Sequence, residues 1–162
     1  MAILANSAVR TGVQVVLALV ILVLGYVLFQ TIVEPQRAYE RELAIADATR
    51  ARMADVRTAM RTYERRTDRY PGTLDSLVQI VKTDSFFVAK RDSIFNVAER
   101  ETAFNPDSMI YSTRAGNPRF NLVVVDTSDV AVYLLEDPGS DDFIGTADPR
   151  RAAGMLNAAS WE

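Results

Sequence analysis

The chain of 162 residues contains no cysteine and no histidine. Without cysteine there is no disulfide, no thiolate chemistry and no Cys-ligated metal, and the redox compartment leaves no mark on the sequence. Without histidine the commonest general base and the commonest transition-metal ligand are missing. Lysine is scarce as well: of the 18 basic residues only Lys82 and Lys90 are not arginine. A net charge of −3 and a pI near 5.1 give no basis for nucleic-acid binding. No nucleophile–base–orienter set, glycine-rich phosphate loop or metal-hydrolase motif occurs. The expectation is that this protein is not an enzyme.

What is present begins with a long apolar run. Val13–Val33 (VQVVLALVILVLGYVLFQTIV) carries no charge, and at about 1.5 Å per residue it spans roughly 31 Å, the thickness of a bilayer's hydrocarbon core. The run is too long for the apolar part of a signal peptide, and no small-x-small cleavage site succeeds it before Glu34-Pro35, so a retained single-pass anchor over 13–34 is expected. Residues 1–12 read as a short tail. Arg37, Arg41, Arg50 and Arg52 lie on the C-terminal side of the run and only Arg10 on its N-terminal side, so the positive-inside rule favours a cytoplasmic location for residues 35–162.

From Pro35 the pattern turns amphipathic, and residues 35–72 read as a stalk helix continuing the anchor, with any bend at Pro35. Tyr39, Leu43, Ala46, Met53, Val56, Met60 and Tyr63 form its apolar stripe, with Leu43, Met53, Val56 and Met60 expected to face a sheet. Arg50, Arg57, Arg61 and Arg65 form a basic ladder, expected to face away as a solvated side or as a surface for an acidic partner. Tyr70-Pro71-Gly72 ends the helix, and Thr73 caps a short one over Leu74–Val81, buried through Leu74, Leu77, Val78 and Val81.

Residues 73–162 are expected to make a small α+β head. From Lys82 to Asp107 no element is legible, although Phe86, Phe87, Ile94, Phe95 and Phe104 need burial. Met109–Ser112, Arg119–Asp126 and Val130–Glu136 read as an antiparallel meander, with Phe143–Gly145 as a last short strand and the sheet confined to 108–145. Arg114 and Arg119 flank its first turn as surface charges. Asp137, Ser140, Asp141 and Asp142 make an acidic loop whose oxygens suit calcium, and the same residues equally suit a plain turn. The segment ending in Trp161 reads as a tail that docks on the head.

This layout resembles the type IV pilin-like proteins, nearest to the major pseudopilin of type II secretion. The resemblance rests on Tyr70-Pro71-Gly72-Thr73-Leu74-Asp75-Ser76-Leu77 after the stalk, on Pro35, and on Ser140-Asp141-Asp142-Phe143-Ile144-Gly145. Two features depart from the family: Gly12 is followed by Val13 rather than an aromatic residue or Met, and Val15–Val20 lacks the family's glutamate. The resemblance implies a structural subunit in the bacterial inner membrane, with an extracytoplasmic head, calcium at the acidic loop, and the bilayer and other membrane-protein subunits as partners. Its orientation conflicts with the positive-inside count. The alternatives are an accessory transmembrane subunit of a respiratory or photosynthetic complex, and a membrane-tethered enzyme or sensor.

Overall fold

The computed structural model describes residues 7–99, 104–127 and 130–162. It is α+β: helices α1 (Ser7–Thr67), α2 (Leu74–Thr83), α3 (Ser85–Ile94) and α4 (Ala152–Met155), with strands β1 (Asn121–Asp126), β2 (Ala131–Glu136) and β3 (Phe143–Gly145). The chain divides into two compact units, Met1–Ala44 and Ile45–Glu162.

In the first unit α1 begins within the expected tail, at Ser7, and its helical backbone continues through Pro35. Arg10–Gln30 is long and apolar enough to cross a membrane, and none of it is buried by the rest of the chain. Tyr39 and Leu43 are 64% and 44% exposed. Leu43 is therefore exposed, although its place in the stripe suggested burial. A helical period says which residues share a side, but not how far along the helix its covering extends.

In the second unit burial along α1 begins at Thr49 and takes in Met53, Val56, Ala59 and Met60, all fully buried. These last four form one hydrophobic core with Leu77, Val81, Phe87, Phe95, Phe120, Tyr133, Leu135 and Ile144. The helix stops when Asp68 takes a left-handed conformation (φ 55°); its N–H still closes on the Glu64 carbonyl at 2.7 Å. Thr73 then caps α2, its Oγ1 accepting from the Ser76 amide at 3.1 Å. Leu74, Leu77, Val78 and Val81 are all buried, as their spacing predicts.

The illegible stretch holds α3 and a 3-10 turn at Val97–Glu99. Asp84 closes α2 with its backbone and opens α3 with its carboxylate, which accepts from the Phe86 amide at 2.8 Å. Burial pushes the Asp84 pKa up, but the Phe86 amide and the Arg66 guanidinium outweigh it and hold the carboxyl below its ordinary value. Phe87 and Phe95 enter the core, and Phe104 stacks on Phe95 with ring centroids 4.1 Å apart.

The sheet has the order β1-β2-β3 and is antiparallel throughout, with Val123 opposite Leu134 and Leu135 opposite Ile144. The expected first strand, Met109–Ser112, is instead a turn followed by a single bridge, Tyr111 to Arg119. Two backbone bonds hold this hairpin: Phe120 N–H to the Ile110 carbonyl, and Ser112 N–H to the Pro118 carbonyl. Proline cannot return a bond, so the ladder stops there. Segment 158–160 flanks the far edge of the sheet, where Gly145 N–H donates to the Ala158 carbonyl and Ser160 N–H to the Phe143 carbonyl, both at 2.9 Å. Gly145 adopts a φ of +86°, and a Cβ there would run into the Tyr133 carbonyl, so glycine is required at this crossing.

Met60→Ala is expected to cost about 2–5 kcal/mol, whereas Leu43→Ala should stay within about half a kcal/mol. Urea unfolding of the full chain in detergent, monitored by near-UV circular dichroism, measures both. Equal losses would contradict the burial boundary at Thr49.

Candidate functional site

The acidic loop and the arginine ladder, read separately from sequence, meet in the structure. Arg50, just past the buried Thr49, reaches Asp142 with two parallel bonds: Nε to Oδ2 at 3.0 Å and Nη2 to Oδ1 at 3.1 Å. Its guanidinium also lies 5.5 Å from the centre of the Trp161 ring. The bond to Asp142 raises the Arg50 pKa further above its already high value. Bidentate geometry of this kind fixes orientation as well as charge, which lysine cannot do.

The loop itself is folded around Asp137, whose side chain is completely buried. Arg114 Nε donates to Asp137 Oδ2 at 3.0 Å, and Ser140 Oγ donates to the same oxygen at 2.8 Å. The Gly139 amide donates to Oδ1 at 3.3 Å. Arg114 passes directly over Gly139, where a Cβ would meet its Cδ at 2.6 Å. A buried carboxylate is tolerated only when a cation and hydrogen bonds replace its lost hydration, and here both are present. Arg114 is therefore not the surface charge expected of it. Arg119 does remain half-exposed, paired with Asp75 at 2.8 Å.

Arg57 was expected to face away from the head, but it is only 20% exposed at its side chain. Its Nη1 and Nη2 hold the two oxygens of Glu162 at 3.0 and 2.7 Å, and Nη1 also donates to the Asn157 carbonyl at 3.2 Å. The same bonds raise the Arg57 pKa and hold the Glu162 carboxyl below 4.5. Asn157 in turn accepts from the Tyr133 hydroxyl at 3.0 Å, whose pKa is driven up by burial. Arg61 and Arg65 are exposed, so the expected basic ladder divides between its two braced members and its two exposed ones.

An open depression of about 450 Å³ lies beside the loop, lined by Asn121, Glu136, Asp137, Ser140, Asp141 and Phe143 among others. Of the four residues expected to take calcium, Asp137 and Ser140 bond each other and Asp142 bonds Arg50, while Asp141 is exposed. Among the described residues no three carboxylates are grouped to hold a metal ion. Guanidinium groups bring positive charge to two of these carboxylates, Arg114 to Asp137 and Arg50 to Asp142. Sequence reasoning missed Arg114, Trp161 and Glu162 as members of the site. Nothing local in the sequence connects them, since Arg57 and Glu162 stand 105 positions apart. The chain matches no family model, no curated protein and no solved structure.

This geometry has two measurable consequences. Arg114→Ala strands a buried charge and is expected to cost about 3 kcal/mol, against about half a kcal/mol or less for Arg61→Ala; urea unfolding of the full chain in detergent compares them. For Glu162 the folded pKa lies below the unfolded one, so its stabilisation is present above pH 4.5 and is lost as pH falls through the folded value. The difference in Tm between wild type and Glu162→Gln should therefore be present at neutrality and vanish in acid. A difference independent of pH would rule out the Arg57 pairing as its source.

Proposed function

We propose that this protein is a non-catalytic, single-pass membrane subunit that carries a pilin-like head and acts by assembly with other membrane-protein subunits. One observation carries the reading: α1 supplies both an apolar stretch that the chain leaves entirely uncovered, Arg10–Gln30, and four core residues of the second unit, Met53, Val56, Ala59 and Met60. An uncovered apolar surface of that length is stable in lipid and costly in water. The α+β composition of the second unit, with a helix packed in one core with a small antiparallel sheet, is consistent with the pilin-like resemblance.

The bacterial inner membrane and an extracytoplasmic head belong to the same proposal. That orientation rests on the resemblance, and the positive-inside count of Arg37, Arg41, Arg50 and Arg52 argues the reverse. The accessory-subunit alternative draws on the exposed Arg61 and Arg65, which offer a basic surface to a neighbouring acidic subunit.

The full chain is expected to remain with membranes through high-salt and carbonate washes, and in N-terminal sequencing of the membrane-bound form cleavage after Gly12 would support the pilin route. Release without detergent would end the anchored reading, whereas a retained chain with an intact Met1 would favour the accessory subunit. Because the chain has no cysteine, one cysteine introduced at the exposed Ser76, labelled with an impermeant maleimide, reports which side the head occupies.

A further inference from the structure

Residues 157–162 occupy a seat built from β3, β2 and the margin of α1. Gly145 N–H donates to the Ala158 carbonyl and Ser160 N–H to the Phe143 carbonyl, both at 2.9 Å. The Phe143 amide adds a bond to Ser160 Oγ at 3.0 Å. Between these bonds Ala159 lies opposite Ile144, only 7% exposed. Asn157 Oδ1 accepts from the Tyr133 hydroxyl at 3.0 Å. Trp161 packs against the core, its ring centre 5.5 Å from the Arg50 guanidinium. The Glu162 amide closes a turn on the Ala159 carbonyl at 3.3 Å, and its carboxylate is held by both Nη atoms of Arg57.

The stretch that joins this segment to β3 has little of the core in it. Among the described residues after Thr146, only Ala159 is buried; the Pro149–Arg151 turn and α4 contribute no buried side chain. Moving the stretch therefore leaves Met53, Val56 and Met60 enclosed by α2, α3 and the sheet. Most contacts of the segment are of kinds that water replaces readily: edge backbone bonds, and an ion pair whose Glu162 side chain is 53% exposed. The Tyr133 hydroxyl is the exception. It is buried, so whatever refills the seat must supply it with an acceptor.

We propose that residues 157–162 are a detachable strap, which opens as a unit while the rest of the second unit stays folded, and whose seat takes up the same segment from a second copy of this chain. The contacts select that occupant. The seat asks for an acceptor at the Tyr133 hydroxyl, a side chain as small as Ala159 opposite Ile144, an aromatic ring by Arg50 and a carboxylate for Arg57. Asn157, Ala159, Trp161 and Glu162 of any copy supply all four. Exchange of an identical element requires no new interface, and it leaves each seat filled as before. Closure within one chain has an effective concentration of roughly millimolar, so exchange is governed by the local density of copies.

The inference is independent of the membrane reading, and its test uses the full chain in detergent micelles. Hydrogen exchange reads the opening: the Gly145 and Ser160 amides, whose bonds cross the seat, should exchange about tenfold or more faster than the amides of β2. Trp161→Ala with Glu162→Gln should speed those two amides further and leave β2 unchanged. Uptake is read by fluorescence anisotropy with a dye-labelled, C-terminally amidated peptide of residues 157–162. Ala159→Asp in the chain expels its own strap, so that chain should bind the peptide about tenfold or more tightly than the wild type does. Glu162→Gln in the peptide should weaken this binding. Should the Ala159→Asp chain fail to fold, the Trp161→Ala, Glu162→Gln chain takes its place. Gly145 and Ser160 amides that exchange only at the rate of β2 would show that the strap opens only with global unfolding, and would overturn the proposal. Equal peptide binding by wild-type and strap-expelled chains, or no binding by either at roughly millimolar peptide, would overturn it as well.

Discussion

The burial of one face of α1 between Thr49 and Met60 is the constraint on which the rest of the second unit depends. Thr49, Met53, Val56 and Met60 repeat at spacings of four, three and four, and all have no exposed surface. Three of them are apolar and gain simply by leaving water. Thr49 is different, because its hydroxyl cannot be buried without a partner. It finds Thr113 Oγ1 at 2.7 Å, and Thr113 also presents its Oγ1 to the Ile45 carbonyl at 2.9 Å. That contact draws the 110–120 hairpin onto the helix and sets where the covering of α1 begins.

The placement of the arginines is a consequence of this burial. Residues 50, 52 and 57 lie at the margins of the buried face, so their long side chains leave the helix where other segments come close. Arg52 reaches the Tyr111 carbonyl at 2.9 Å, Arg50 takes Asp142, and Arg57 takes Glu162. Each joins the helix to a segment more than 50 positions away in sequence. Exposed ion pairs contribute little free energy at 25 °C, and their value here is in orientation. The pair that matters most energetically is Arg114–Asp137, where one member has lost its water altogether.

Much of the fold was legible because local signals agreed with the final packing. The Thr73 cap, the four buried positions of α2 and the strand at Phe143–Gly145 are short-range features, decided within a few residues. The stretch 82–107 was not legible because α3 bends at Lys90, which breaks the helical period over its ten residues. Met109–Ser112 has strand-like side chains but pairs against Pro118, and a residue's β-propensity carries no information about what lies opposite it.

The sequence by itself determined that one charge-free run is long enough to cross a bilayer, that the segment behind it has an apolar stripe, and that an α+β head comes after the stripe. Those are properties of composition and period, which survive any detail of packing. Only the tertiary structure decided which part of the stripe is covered, leaving Leu43 in the open and Met53 enclosed. It also decided that the carboxylates of Asp137 and Asp142 are met by Arg114 and Arg50, and that segment 158–160 covers the β3 edge of the sheet. The reason is physical: a carboxylate's partner and a strand's neighbour are chosen by distance in space, and residues 50 and 142 become neighbours only once the helix and the sheet share a core.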